Sequence, residues 1–200
     1  MSKTIDYYFA PQSPWTYLGH ARLEAMATAA KARVRVLPAD FGKIFAASGG
    51  LPLAKRAPQR QAYRLLELAR FRDLLGLPLT IEPRYFPVAP DDAARLIISV
   101  DGHDGSAAAM RLGAAVFAAV WVQQRDIANP ETLRDLLKAC GLPDERWLQS
   151  HTQEVQDQYN ANTEAAITAG VFGAPSYCVD GEIFWGQDRL DLLQRRIGAR

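Results

Sequence analysis

The chain has 200 residues, 48% of them hydrophobic and 22% charged, with a formal net charge of +1, which suits a globular protein with one substantial core. Near-neutrality gives nucleic acid and anionic membranes no electrostatic hold, and no apolar run approaches the roughly 20 residues that span a bilayer; without a basic-then-apolar leader, the chain is expected to stay in the cytosol. The two cysteines, Cys140 and Cys178, are far apart and lack Cys-x-x-Cys partners, and three histidines are too scattered for a zinc set. Metal binding is therefore not expected, and both cysteines read as small buried hydrophobes.

In chain order, Thr4 to Phe9 reads as an apolar, aromatic strand that breaks at Pro11. A helix resumes with Pro14 near its first turn, where proline's fixed φ and missing N–H cost least. It runs through Leu18, Ala21, Leu23, Ala25 and Met26, and a second strand follows at Val34 to Leu37. These segments form the start of a βαβ unit. The turn before the helix presents Ser13 to free N–H groups and the positive end of the helix dipole. Two readings of Ser13 stand side by side: a plain N-cap, or a hydroxyl that, with the helix end, holds a thiolate supplied by a ligand.

After Pro38 the pattern turns helical. A loop at Ser48 to Pro52 leads to basic Lys55 and Arg56, and a helix follows, bounded by Pro58 and Gly76, with its periodic part at Tyr63 to Phe71. Pro83, Pro87 and Pro90 make a loop around Tyr85 and Phe86. Asp91 and Asp92 open a helix through Val100, and Asp104 to Gln124 reads as a long helix, apolar almost all round and so central to its lobe. Asn129, Pro130 and Glu131 begin a helix that ends at Gly141; two more run over 144–150 and 153–169. Then Phe172 to Val179 reads as loop, proline, strand; Asp180-Gly181 is a two-residue hairpin signal; Glu182 to Trp185 returns; and Arg189 to Ile197 is the last helix. The ends therefore read β-α-β and α-β-β-α, with roughly 110 residues of helical signal between them. The expectation is an α/β chain whose two ends, 1–42 and 165–200, form one part in the order of a thioredoxin-like sheet, with 43–164 inserted as an all-helical lobe. No flexible linker separates them.

Such a sheet brings the Ser13 turn near Pro175. A proline entering a strand sits at an edge, a bulge or the first residue. Ala174–Pro175 could be an ordinary trans bond, or cis with the Ala174 backbone turned outward to pair with an extended peptide. Gly186, Gln187 and Asp188 offer free N–H groups to a carboxylate and Asp188 to an amine, or Asp188 merely caps the helix. Lys55 and Arg60 could reach a second carboxylate. A γ-glutamyl peptide with a central thiol and a distal carboxylate would fit these elements.

Three stretches carry a family resemblance over nearly the whole chain. Tyr8-Phe9-Ala10-Pro11-Gln12-Ser13-Pro14-Trp15-Thr16-Tyr17-Leu18, the segment from Pro58-Gln59-Arg60 to Gly76-Leu77-Pro78, and Gly170 to Ser176 with Asp180 to Leu190 resemble the 2-hydroxychromene-2-carboxylate isomerases, relatives of kappa-class glutathione transferases and of DsbA. Where thioredoxin-like redox proteins hold Cys-x-x-Cys, this chain has Ser13-Pro14-Trp15-Thr16, so dithiol chemistry is not available. The resemblance implies a cytosolic homodimer that binds glutathione and a small aromatic substrate. Ser13 would hold the glutathione sulfur and Ala174, before Pro175, would pair with its backbone. Trp185, Gly186, Gln187 and Asp188 would surround the γ-glutamyl end. The implied reaction is an isomerisation of 2-hydroxychromene-2-carboxylate or a related unsaturated keto acid by reversible thiolate addition; a kappa-like transferase and a DsbA-like module without redox activity are the alternatives. Lys43, Lys55 and Tyr85 are the candidates for the substrate carboxylate. Three positions depart from the family pattern: Ala10 for Asp, Arg60 for Lys and Gly50 for Asn.

Overall fold

In the computed structural model, which describes residues 3–198, a four-stranded sheet has the order β2-β1-β3-β4. The strands are β1 (Thr4–Phe9), β2 (Arg33–Pro38), β3 (Ser176–Val179) and β4 (Glu182–Trp185). β1 pairs parallel with β2 and antiparallel with β3, placing Tyr8 opposite Ser176; β3 pairs antiparallel with β4. Asp180 and Gly181, both at positive φ, make the hairpin turn between β3 and β4, as their residue types require. The expected thioredoxin-like order is present. Residues 1–2 and 199–200, the outer ends of the expected segments, lie outside the described range.

Because side chains alternate along a strand, β1 serves two cores. Ile5, Tyr7 and Phe9 face one large cluster, with Tyr177 and Val179 of β3. Tyr8 and Ala10 face a smaller one with Phe41, Ile44, Ala166 and Cys178. Helices α1 (Pro14–Ala29), α5 (Ser106–Trp121) and α9 (Leu190–Ile197) cover the first face. Helices α2 (Phe41–Ser48) and α8 (Gln153–Thr168) cover the second. The remaining helices are α3 (Pro58–Leu75), α4 (Asp91–Asp104), α6 (Pro130–Ala139) and α7 (Glu145–Gln149). None of the described helices is long and apolar enough to cross a membrane. Helices α4, α5 and α6 contribute to the same cluster as β1 and α1, so the helical lobe and the sheet share one core.

The long helix expected over 104–124 is α5, Ser106–Trp121, shorter at both ends, and α4 runs past the expected Val100 to Asp104, with Gly105 at φ +84° between them. Glycine tolerates that conformation where other residues are strained, so the break sits there and not where the apolar pattern begins. The alanines of α5 let it approach closely: Ala109, Leu112, Val116, Phe117, Val120 and Trp121 are all essentially buried.

Sheet and lobe are joined by an aromatic stack. Tyr7 stacks on Phe9 at 4.6 Å and on Tyr177 at 5.5 Å between centroids, and Phe9 meets Phe117 edge-on at 5.5 Å. Such pairs add about 0.5–1.5 kcal/mol each beyond their area burial. His20, on α1, sits within this stack, 5.0 Å from the Phe117 ring. Its Nε2 lies 2.9 Å from the Met110 carbonyl and its Nδ1 3.1 Å from the Tyr7 hydroxyl. A carbonyl can only accept, so Nε2 carries the proton and Nδ1 accepts from Tyr7. Burial holds the imidazole neutral and pulls its pKa from 6.5 down to about 4, although the Met110 bond opposes this.

The unfolded chain therefore binds a proton here between about pH 6.5 and 4 that the folded chain does not. Stability is predicted to fall as the pH falls across that window, by about 3 kcal/mol in total for this group. Urea denaturation from pH 8 to 4 should show the slope in wild type and a flatter limb in His20→Phe; equal slopes would contradict the assignment.

Candidate functional site

β1 leads out through Ala10, and β3 is entered through Pro175; their pairing at Tyr8 and Ser176 sets the two connections side by side. At the first connection the Ser13 N–H donates to the Ala10 carbonyl at 3.0 Å, and the Thr16 N–H donates to Ser13 Oγ at 3.2 Å. Ser13 is thus the N-cap of α1, with extended backbone, and is 9% exposed. Capping uses a lone pair of Oγ and leaves the O–H free to donate. The two sequence readings of Ser13 are therefore compatible. Pro14 has no N–H, Tyr17 N–H is used by the Ser13 carbonyl, and Trp15 N–H has no partner among the described residues. Two donors, Ser13 O–H and Trp15 N–H, remain at the positive end of a 16-residue helix, where an anion is favoured.

The protein's own sulfurs cannot supply that anion. Burial pushes the Cys178 thiol up to about 11, with Asp6 adding to it, and also raises Cys140. Where a redox thioredoxin would place its second cysteine stands Thr16, fully buried.

Across from Ser13, Ala174–Pro175 is cis. Ser176 Oγ donates to the Gly173 carbonyl at 2.7 Å, and the Gly186 N–H donates to the Pro175 carbonyl at 2.9 Å. Ala174 lies between these bonds with both backbone groups unpaired among the described residues. Half-exposed Trp185 packs on Phe172 at 4.8 Å between centroids. A Cβ at Gly173 would lie 2.3 Å from Trp185 Nε1, so glycine is needed for the indole to reach this position. Sequence reasoning passed over Phe172 because an aromatic before Gly-Ala-Pro looks like ordinary loop filling.

The segment 186–188 differs in detail from expectation. A 3-10 turn, Gln187–Arg189, precedes α9, which begins at Leu190. Gly186 has φ +97°, and a Cβ there would meet Asp188 Oδ1 at 2.5 Å. The Gln187 side chain points inward, so of this residue only the backbone is offered at the surface of the turn. Gln187 is 1% exposed, accepts from Arg22 Nη1 at 3.2 Å and fills the space left by Gly19 of α1, where a Cβ would lie 2.9 Å from Gln187 Cβ. Its contribution is to fix the turn against α1. Asp188 is exposed and paired with Arg189 at 2.6 Å.

The basic candidates are scattered. Arg60 is exposed in the first turn of α3, and Lys55 is exposed in a short 3-10 turn, Leu53–Lys55. Lys43 reaches Asn160 on α8 at 3.4 Å, over the second sheet face. Tyr85 carries Arg84 over its ring at 5.2 Å. A cleft of about 360 Å³ between β2, α4 and α8 contains none of the expected residues. Two of the family departures have local causes. Ala10 is buried in the apolar second core, and a side chain at Gly50 would strike Phe45, 2.6 Å from its Cβ position.

One further residue, inside the periodic segment of α3, stands out. Arg64 continues the inward stripe Leu68, Phe71, Leu75 of α3 at positions i, i+4, i+7 and i+11. Its guanidinium lies over the rings of Phe86 and Trp121, at 5.0 and 5.9 Å from their centroids. A cation in an apolar stripe was the available signal.

Sheet order, capping serine and cis-proline loop together define a thioredoxin-fold protein whose redox cysteines are replaced. The family model for the DsbA-like thioredoxin domain matches residues 4–198, and the chain belongs to that family. It is 29% identical over 196 residues to a 2-hydroxychromene-2-carboxylate isomerase of Sphingobium xenophagum, covering 97% of each chain. It is 25% identical over 223 residues to human glutathione S-transferase kappa 1, covering 100% of this chain and 93% of that one. A solved 2-hydroxychromene-2-carboxylate isomerase superposes with a TM-score of 0.81 at 26% identity, over 98% of this chain and 94% of the other.

Gly173→Ala is predicted to displace Trp185 and cost about 1–3 kcal/mol of stability, as overpacking does. Thermal denaturation and indole fluorescence measure both effects; an unshifted emission spectrum would contradict the close contact.

Proposed function

We propose that the chain is a glutathione-dependent isomerase acting on 2-hydroxychromene-2-carboxylate or a related aromatic, α,β-unsaturated keto acid. The observation that carries this reading is the capping Ser13, whose O–H stays free beside the Trp15 N–H while both native thiols are held protonated. The relatives named as isomerases and as a kappa glutathione transferase support the class of chemistry.

The residues fit glutathione in three places. Ser13 and Trp15 would face the sulfur. The unpaired backbone of Ala174, beside Pro175, suits an extended peptide. Trp185, backed by Phe172, and the exposed carboxylate of Asp188 suit the γ-glutamyl end, with Gly186 and Gln187 holding the turn. Arg60 is assigned to the far carboxylate.

Bound there, glutathione would supply a nucleophilic sulfur anion for reversible conjugate addition, which makes the substrate's double bond single, and so free to turn, only while the sulfur is attached. A thiol with a pKa near 8.5 is mostly protonated at neutral pH. Ser13 and the helix end would lower it by about two units, or roughly 2.7 kcal/mol of differential stabilisation. One hydroxyl donor with a helix N-terminus is adequate for that. Ser13 acts as a donor and not as a nucleophile, because the one histidine near it, His20, faces Tyr7 and Met110.

The kappa relative favours a second reading, in which the conjugate is the product. Product analysis with a conjugated enone separates the two, since isomerisation returns glutathione unchanged.

Ser13→Ala is predicted to reduce glutathione-dependent isomerisation about 100-fold while costing only about 1 kcal/mol of stability from the lost cap. Steady-state rates, with and without glutathione, and denaturation of the same preparations test both. Undiminished turnover in a folded variant would remove Ser13 from the mechanism.

A further inference from the structure

Two hydrogen-bond donors are stranded in one aromatic cluster. Arg64 Nη2 and Trp121 Nε1 are buried without a partner among the described residues. Arg64 forms no ion pair with any described residue; its helical neighbour Glu67 is bound to Arg70 at 2.6 Å. Trp121 is fully buried. The Phe86 ring lies 4.9 Å from the Trp121 ring, and the Arg64 guanidinium covers both. A buried donor without an acceptor is costly, and Arg64, half-buried with no counterion among the described residues, keeps only part of its guanidinium within reach of solvent. Burial, with a smaller push from the neighbouring Arg56, lowers the Arg64 pKa to about 10. The cluster holds cation and donors, and nothing within it supplies an anion.

The packing directions place this cluster at the Ser13 end of the sheet. Along α5, Met110 bonds His20, Phe117 meets Phe9 at the end of β1, and Trp121 comes one turn later. Along α3, Phe71 packs on Trp15 at 6.1 Å, and Pro78 beyond the helix accepts from Tyr17. Arg64 lies two turns before Phe71, which carries it past the start of α1.

We propose that Arg64 is the specificity residue for the substrate, the accessible side of its guanidinium receiving the carboxylate of a planar conjugated aromatic acid. The Phe86 and Trp121 rings fix the plane of the fork by cation–π contact, so that its N–H groups meet a carboxylate edge-on. The ligand supplies the counter-charge that the cluster lacks. Lys43, Lys55 and Tyr85 are thereby replaced in this role. The assignment rests on the isomerase reading for the chemistry that follows, but binding of the acid itself requires neither glutathione nor Ser13.

The test is calorimetric binding of trans-cinnamate and of its neutral amide, cinnamamide, without glutathione. Wild type is expected to bind the acid about 10- to 100-fold more tightly, as loss of a charged hydrogen bond implies. Arg64→Met should lose that preference with little change for the amide, Arg64→Lys should recover part of it, and Ser13→Ala should retain it. Undiminished preference in Arg64→Met overturns the assignment, as does an equal affinity for acid and amide in wild type. Competition by inorganic phosphate at the same concentration overturns the aromatic-acid class in favour of a general anion site. Should Arg64→Met fail to fold, guanidinium NMR of wild type decides: one arginine resonance, absent in Arg64→Lys, must shift with cinnamate and not with cinnamamide. A failed glutathione reading with intact acid binding would show as loss of turnover alone.

Discussion

The site exists because β1 and β3, more than 160 residues apart in the chain, pair antiparallel with Tyr8 opposite Ser176. That register places the connection leaving β1 beside the connection entering β3, and these hold the capping serine and the unpaired Ala174 backbone. A slip of β3 by one residue against β1 would turn over its two faces. It would put Tyr177 into the smaller core and Cys178 into the larger one. With both strands buried on both sides, that exchange is not tolerated, so hydrophobic patterning fixes the geometry of a polar site.

The helical lobe belongs to the same framework. Its central helix α5 meets β1 through Phe117 and α1 through His20, so the helix that carries Ser13 is braced from the lobe side. The neutral imidazole accepts from a tyrosine hydroxyl that burial would otherwise strand, and gives its own N–H to the Met110 carbonyl of α5. On the other flank of α1, Gly19 admits Gln187, tying the turn before α9 to the same helix. With Ser13 and Thr16 in place of redox cysteines, the start of α1 carries free donors and no sulfur of its own.

Much of this was legible in the residues. Strands, hairpin, the bounds of α3 at Pro58 and Gly76, and the Asn129 cap follow from turn chemistry, periodicity and capping. Ser13 could be singled out because serine before Pro-x-Thr at a strand-to-helix turn has few other uses. Side-chain direction was not legible. Gln187 reads as a polar residue beside a glycine, and only the gap at Gly19 shows that it points inward. Arg64 stands out in sequence as a cation in the apolar stripe of α3, but its aromatic cover shows only when Phe86, in the proline-rich loop beyond Gly76, is folded back against it. The α4–α5 boundary was read a few residues early, because Asp101-Gly102-His103-Asp104-Gly105 offers two glycines and only the backbone shows that Gly105 carries the break.

The central claim is that a ligand's sulfur is held as an anion by Ser13 at the start of α1. Ultraviolet titration of thiolate absorbance in the glutathione complex measures it directly. The account predicts a thiol pKa about two units below that of free glutathione in wild type, returning most of the way in Ser13→Ala. An unshifted pKa with glutathione fully bound would contradict it.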